Sequence, residues 1–468
     1  MNDLNLAGTK TIDETSINLI QKFQEIPIDE SWTFEHLKRK ETSYITHDYH
    51  RYPAKFIPQV ASKLIKKFTK KGDLIGDPFM GSGTTLVEAL VNERYGIGVD
   101  INPAAYIISK AKTTPINPKK LNNAINLLYK NIEKRNIESK TNLDSFFDKS
   151  EVSDENEDNN ENIDVPSLER IDYWFDHDTK LDLAKIWHEI NLVENEEIKI
   201  FLMCGFSHIL KNCSRWLMKS TKPTIDKNKG DIDSYKSFKR HINKMKRKNE
   251  EFYNLLSDFS IKKHEELINA ELGDCRNLPC DDNVVDLIVT SPPYVTSYEY
   301  ADLHQLTVLW FGYETDIKNL RPKFVGTAMS RKNIPNKINS SIAETTVNDL
   351  RSINQNRLAD SVHAYFFEMQ ECLIEMQRIL KPGGKSAIVI GNTSLKKVPI
   401  YNGEVFAEIG INIGFNIYDV IKRRIPGGGK ILPSTRDPVT GKFTSLKSSD
   451  KVEAYSTEYI LILEKSKS

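Results

Sequence analysis

The chain has 468 residues, 39% of them hydrophobic and 28% charged. That is too long for one ordinary core, so two or three domains, or one domain with a large insertion, are expected. Lys+Arg and Asp+Glu are both 65, so the net charge is zero and no globally basic coat for nucleic acid is present. Cys204, Cys213, Cys275, Cys280 and Cys372 show no CxxC spacing, which argues against a zinc site or disulfide framework. The opening MNDLNLAGTK has no charged and apolar leader pattern, and no apolar run approaches the ~18 residues of a membrane span. A reducing cytoplasm, no membrane and no metal are the expectations.

In chain order, residues 1–45 read as a polar, loosely helical lead-in. From 46 to 112, "DLIGDPF" (73–79) reads as a strand, "TTLVEALVNE" (84–93) as a helix, "YGIGVDIN" (95–102) as a strand and "PAAYIISKAKT" (103–113) as a helix opened by proline. This βαβα alternation predicts an α/β fold with a doubly wound, mostly parallel sheet. The alternation stops over 113–265, a mainly helical insertion in which the acidic stretch 150–164 reads as a disordered loop. Within it, 234–256 carries Lys239, Arg240, Lys244 and Arg247, either a solvated helix face or a phosphate-contacting one.

The sheet pattern resumes at 266–279, and Val284–Thr290 reads as a buried strand. An amphipathic helix over 361–384 ends in Pro-Gly-Gly, with an apolar stripe (Phe366, Met369, Leu373, Met376, Leu380) that belongs to the core. Strands at 385–392, 415–425 and 458–465 close the sheet. Residues 312–360 and 425–456 are polar and read as long loops.

Two constellations carry chemistry. "DPFMGSGTT" (Asp77–Thr85) lies between a strand and a helix, and Gly81 and Gly83 permit a tight turn with close ligand approach. Thr84-Thr85 follow where a P-loop would need Lys, and Leu86 stands where a dinucleotide fingerprint would need glycine. A nucleoside cofactor without a pyrophosphate remains, and S-adenosylmethionine fits. Asp100 ends the second strand, placed to accept from ribose hydroxyls, and Asp274 ends the third, placed to accept from an adenine amino group.

The second constellation is "TSPPY" (Thr290–Tyr294). Pro292 lacks an N–H and Pro293 fixes the backbone, so the Pro292 carbonyl is held out beside Ser291. Two adjacent acceptors bind the two hydrogens of an –NH2 group and localise its lone pair, and Tyr294 offers a face for a flipped base.

Together these residues resemble the amino-methyltransferases of DNA, the cytosine-N4 and adenine-N6 family. "DPFMGSGTT" looks like the family's cofactor motif and "TSPPY" like its catalytic motif. "HRYPAKFIPQVA" (50–61) is similar to the segment packing over the methionine part of the cofactor, and "LKPGG" (380–384) to a late turn. The resemblance covers about 46–112 and 266–465. It implies a Rossmann-like catalytic domain (46–112 and 266–468), interrupted by a candidate target-recognition insertion (113–265).

It also implies cofactor contacts from Lys55, Phe56, Asp77, Pro78, Phe79, Gly81, Ser82, Gly83, Thr84, Thr85, Asp100, Ile101, Asp274 and Cys275. Ser291, Pro292, Pro293 and Tyr294 become the catalytic set. Lys239, Arg240, Lys244, Arg247, Arg423, Arg424 and Lys430 are the expected DNA contacts. Double-stranded DNA is the implied partner, with a cognate restriction endonuclease as a candidate second one.

Serine at 291, where the family more often has aspartate, points to the cytosine-N4 branch, with adenine-N6 as the alternative. An RNA amino-methyltransferase and a non-catalytic DNA-binding partner are the other readings. Cys280, although preceded by Pro279, lies before the fourth strand and reads as incidental to a one-step transfer.

Overall fold

The computed structural model describes residues 14–53, 55–147, 163–220, 222–295, 299–327, 337–425, 435–436, 452–453 and 457–467, without the side chains of 138–147, 435–436 and 452–453. Seven strands form the main sheet: β1 Leu74–Asp77, β2 Tyr95–Asp100, β3 Ile268–Leu272, β4 Val285–Thr290, β5 Leu380–Ile390, β6 Phe415–Arg424 and β7 Thr457–Lys465. Their order is β3-β2-β1-β4-β5-β7-β6. All pairs are parallel except those of β7, which runs antiparallel to both β5 and β6. The strands are rich in β-branched residues and leucine because helices cover both faces. Chain order reverses between β1 and β4, where Ile75 lies opposite Leu287 and Gly76 opposite Ile288. A crevice opens at the carboxyl ends of strands at such a point.

The glycine loop turns from β1 into the helix Thr84–Val91 with Gly83 at φ 70°. A Cβ there would meet Ser109 Oγ at 2.8 Å, so glycine is required for both conformation and space. The helix Pro103–Thr113 follows β2, with Pro103 in its first turn and Asn102 capping the Ala104 N–H at 3.1 Å.

The insertion contributes the helices Pro118–Phe147, His177–Asn191, Glu196–Cys213 and Ser234–Leu255. Its core is shared rather than separate. Ile107 and Ile108 from beside β2, Trp174, Phe206 and Phe238 from the insertion, and Trp310 from after β4 belong to one buried cluster. Trp174 stacks on Trp216 at 4.9 Å and donates to Gln305 Oε1 at 3.1 Å, tying the insertion to the segment after β4. The acidic stretch 150–164 lies, except for its last two residues, outside the described residues.

Two expectations need correction. The 312–360 region contains a helix, Ser341–Ser352, capped by Ser340 Oγ and packed by Ile342, Val347 and Leu350. Its polar composition conceals an apolar stripe one face wide. The helix before β5 ends at Ile379, and "KPGG" is already strand. It enters opposite Val285 and bulges before Lys385 pairs with Leu287. The N-terminal lead-in docks on the sheet: Asp29 N donates to Lys422 O at 2.8 Å, and Phe23 meets Tyr459 edge-on at 5.3 Å.

Truncating Trp174 to Ala is expected to destabilise the whole catalytic unit by about 3–5 kcal/mol. Chemical unfolding should show one transition shifted as a whole, because the insertion shares its core with the helix after β2 and the segment after β4.

Candidate functional site

The crevice at the reversal point is a cleft of about 810 Å³, open to solvent. Of the fourteen residues expected to hold a cofactor, it brings together twelve: Lys55, Phe56, Asp77, Pro78, Phe79, Gly81, Ser82, Thr84, Asp100, Ile101, Asp274 and Cys275. Gly83 and Thr85 lie behind the lining, in the turn and helix that shape it, and Thr85 Oγ1 donates to Val289 O at 2.9 Å. The loop is pinned from below. Ser109 Oγ donates to Gly81 O at 3.0 Å, and Lys112, 1% exposed, donates through Nζ to Ser82 O. Burial, then neighbouring Lys55, holds the Lys112 ammonium well below its ordinary range.

Asp100 organises the turn by accepting from Gly81 N and Asn102 N, each at 2.9 Å. Asp77 accepts from Thr290 Oγ1 at 2.7 Å, a bond that joins the ends of β1 and β4. Burial raises both carboxyls, Asp77 to about 7 and Asp100 to about 6, and the nearby Asp100 charge adds to the rise at Asp77. Two buried acids in one cleft repel phosphate and suit hydroxyl donors and a cationic group. Lys55 reaches away, donating to His47 O at 2.9 Å, and burial lowers it to about 8. Both oxygens of Asp274 are engaged by Arg276, with Nε to Oδ1 at 2.8 Å and Nη2 to Oδ2 at 2.6 Å. Arg276 also donates to Lys323 O at 2.9 Å.

Residues that motif reading did not single out complete the lining: Tyr52, Met80, Tyr300, Phe324 and Val325 among them. Tyr52 stacks on His304 at 4.8 Å, and a Cβ on Gly81 would touch its ring at 3.1 Å. Tyr52 sits inside the quoted "HRYPAKF" segment, so a signal existed there. Phe324 and Val325 lie in a polar stretch with no motif.

At the end of β4, Ser291 and Pro293 line the cleft while Pro292 is buried. The Pro293 carbonyl accepts from Tyr365 OH at 2.8 Å. The Pro292 carbonyl and Ser291 Oγ accept no hydrogen bond from the described residues. Tyr294 is half-buried outside the lining, with its hydroxyl donating to Glu458 Oε2 at 3.3 Å.

The expected DNA contacts divide. Arg240 and Arg247 are exposed. Lys239 pairs with Glu133 at 2.9 Å, Lys244 with Asp48 at 2.7 Å and Arg424 with Glu30 at 2.9 Å. Lys430 lies outside the described residues. Arg423 is a correction: it is 2% exposed, ion-paired through Nε with Glu458 Oε1 at 2.9 Å, and donates to Trp32 O at 2.8 Å. Alternation along β6 turns Arg423 inward and Arg424 outward, so one cannot share the other's partner. Arg423 therefore holds the carboxylate that holds Tyr294.

Comparison with known proteins gives a family model described as DNA methylase, covering N6 and N4 methyltransferases, that matches residues 7–111 and 285–468. The Type II methyltransferase M.MvaI of Kocuria varians is 29% identical over 422 residues, covering 85% of this chain and 87% of that protein. M.BsoBI of Geobacillus stearothermophilus, also a Type II methyltransferase, is 26% identical over 467 residues, covering 85% of each. Among solved structures, TTHA0409 of Thermus thermophilus complexed with S-adenosyl-L-methionine aligns over 42% of this chain and 54% of that one, at 17% identity and a TM-score of 0.20.

Arg423→Met is expected to cost about 3–5 kcal/mol of stability, because it leaves the Glu458 carboxylate buried without its cation. Urea unfolding measures the loss, and an unchanged midpoint would show that the pair is immaterial.

Proposed function

We propose that this chain, which belongs to the DNA methylase family, transfers a methyl group to the N4 amino group of cytosine in duplex DNA as the modifying half of a restriction-modification system. The methyl donor of the family is S-adenosylmethionine, which when bound supplies an electrophilic methyl group on a sulfonium. The cleft suits it: a glycine turn without a phosphate-binding lysine, apolar walls from Phe56, Phe79 and Ile101, and two buried carboxyls that favour hydroxyl and cationic groups. Asp100 is the candidate ribose acceptor. Asp274, oriented by Arg276 at the same cleft, is the candidate acceptor for the adenine amino group.

The observation that carries the reading is the pair of open acceptors at the end of β4. Ser291 lines the same cleft, and the carbonyl of the next residue, the buried Pro292, accepts no hydrogen bond from the described residues, whereas that of Pro293 is taken by Tyr365. Two acceptors side by side hold both hydrogens of an exocyclic amine and draw its lone pair out of conjugation with the ring. The nitrogen is then nucleophilic without a covalent enzyme intermediate. Its surplus proton leaves after the new N–C bond has formed. Tyr294 offers the face for the extruded base, held by Glu458 and Arg423 from behind. Serine rather than aspartate at 291, the tendency of the cytosine-N4 branch, favours cytosine over adenine in this reading. The likeness to Type II methyltransferases along most of their length supports the restriction-modification context, and a cognate endonuclease is the proposed partner. Arg240 and Arg247 are proposed phosphate contacts.

The reading is tested by incubating methyl-labelled S-adenosylmethionine, the chain and genomic DNA, then separating the nucleosides. Label is expected in the deoxycytidine fraction. Label in deoxyadenosine would assign the adenine-N6 branch instead, and label only in an RNA substrate would remove DNA as the target.

Ser291→Ala is expected to lower the transfer rate about 10²-fold, the order seen when one preorganised hydrogen-bonding group is removed, with cofactor affinity kept. Stopped-flow transfer and calorimetry separate the two. Cofactor binding should weaken as pH falls. Burial raises Asp100 to about 6, so below that pH it is protonated and loses acceptor capacity. Asp100→Asn should flatten this dependence between pH 5 and about 8 while weakening binding throughout. An unchanged pH profile would remove Asp100 from the ribose role.

A further inference from the structure

The zero net charge hides one segment whose cations are not balanced. From Lys211 to Lys229 stand six cations, Lys211, Arg215, Lys219, Lys222, Lys227 and Lys229, against one acid, Asp226. None of the six forms an ion pair with an acid among the described residues. The helix that follows behaves differently: Lys236, Lys239 and Lys244 pair with Asp233, Glu133 and Asp48.

The segment is built. Leu217 N donates to Thr224 O and Asp226 N to Arg215 O, both at 2.8 Å, and Trp216 bridges Ile225 in antiparallel fashion. These bonds pair 215–217 with 224–226 in a short hairpin, of which residue 221 lies outside the described residues. Trp216 anchors it, fully buried against Trp174. Lys229 Nζ closes its base on the carbonyls of Lys211 at 3.0 Å and Trp216 at 3.2 Å, and Lys211 Nζ holds Ser220 O at 2.8 Å. Arg215, Lys219 and Lys222 remain exposed or half-exposed. A hairpin this heavily anchored, with bare cations on its outer part, presents charge at small entropic cost.

Its root lies beside the cleft. Lys211 follows Ser207 and His208 by one turn of the helix Glu196–Cys213. His50 Nε2 lies 3.0 Å from Ser207 Oγ, and Arg51 N donates to His208 Nδ1 at 3.4 Å. The next residue, Tyr52, lines the cleft. Arg51 is exposed, and its guanidinium has no ion-pair partner among the described residues. The cations crowd one another. Burial first, then Arg51 and Lys229, hold the Lys211 ammonium down to about 8, and burial, then His241, His50 and Arg51, press His208 well below the ordinary histidine range. An anion at this rim would relieve that repulsion.

We propose that the 215–226 hairpin and Arg51 form a seat for DNA backbone phosphates at the rim of the cleft, gripping the duplex next to the point where a base is drawn out. The seat rests on the reading of duplex DNA as substrate. It assigns the insertion a phosphate-positioning surface separate from base readout.

The test is fluorescence anisotropy of a labelled mixed-sequence duplex across a salt series, with S-adenosylmethionine affinity measured in parallel. For Arg215→Gln/Lys219→Gln/Lys222→Gln, the slope of log affinity against log salt is expected to fall by about 0.9 for each phosphate no longer neutralised, so by roughly 2–3, with affinity at least about tenfold weaker at moderate salt. Cofactor affinity should not change. The matched variant Lys71→Gln/Lys262→Gln/Lys263→Gln removes three exposed charges that precede β1 and β3, at the strand ends opposite the cleft, and should keep the slope. A wild-type slope in the hairpin variant, or an equal fall in both variants, would overturn the seat. A wild-type chain that does not bind the duplex at all would instead overturn the DNA reading itself.

Discussion

The hydrogen bond from Thr290 Oγ1 to Asp77 Oδ1 fastens together the two strand ends on which the site depends. β1 and β4 lie side by side in the sheet, although more than two hundred residues and the whole insertion separate them in the chain. Their parallel pairing brings both carboxyl ends to the same edge. The glycine loop leaves from one and Ser291 from the other, so both segments line one crevice. Neighbouring strands widen this arrangement: β2 ends in Asp100, and the turn after β3 adds Asp274.

Burial supplies the electrostatic character. Asp77 and Asp100 are acids taken out of water, and a cleft that holds both is inhospitable to phosphate. The cation that could have been a phosphate ligand, Lys112, faces the back of the loop and is consumed by the Ser82 carbonyl. The sign of the cleft and the sign of the surface beside it therefore differ. The cleft is lined by Asp77, Asp100 and Asp274, while the rim around Arg51 and the hairpin carries exposed cations.

Much of the sheet was legible in advance, because buried parallel strands are continuous apolar runs and glycine turns punctuate them. The convergence of Asp77, Gly81, Asp100 and Asp274 on one cleft was legible for the same reason: they end strands or fill turns whose geometry is local. What depended on three-dimensional packing was not. Arg423 and Arg424 look alike in sequence, and only the alternation of β6 and the acid at 458 turn one into a buried strut. The helix Ser341–Ser352 has too few apolar residues to stand out until its partner helix is beside it. Lysines on the helix Ser234–Leu255 announced a basic face, yet acids distant in sequence cancel several of them. The hairpin went unread because it is short and its antiparallel bonds follow no hydrophobic period.

The central claim is that Ser291 and the Pro292 carbonyl clamp an exocyclic amine of cytosine at the edge of the cofactor cleft. Base-resolved sequencing of DNA from cells expressing the chain, compared with cells expressing Ser291→Ala, tests it most directly. The account predicts N4-methylcytosine at one defined sequence, lost in the variant. N6-methyladenine at a defined sequence, or methylcytosine that persists undiminished in the Ser291→Ala cells, would contradict it.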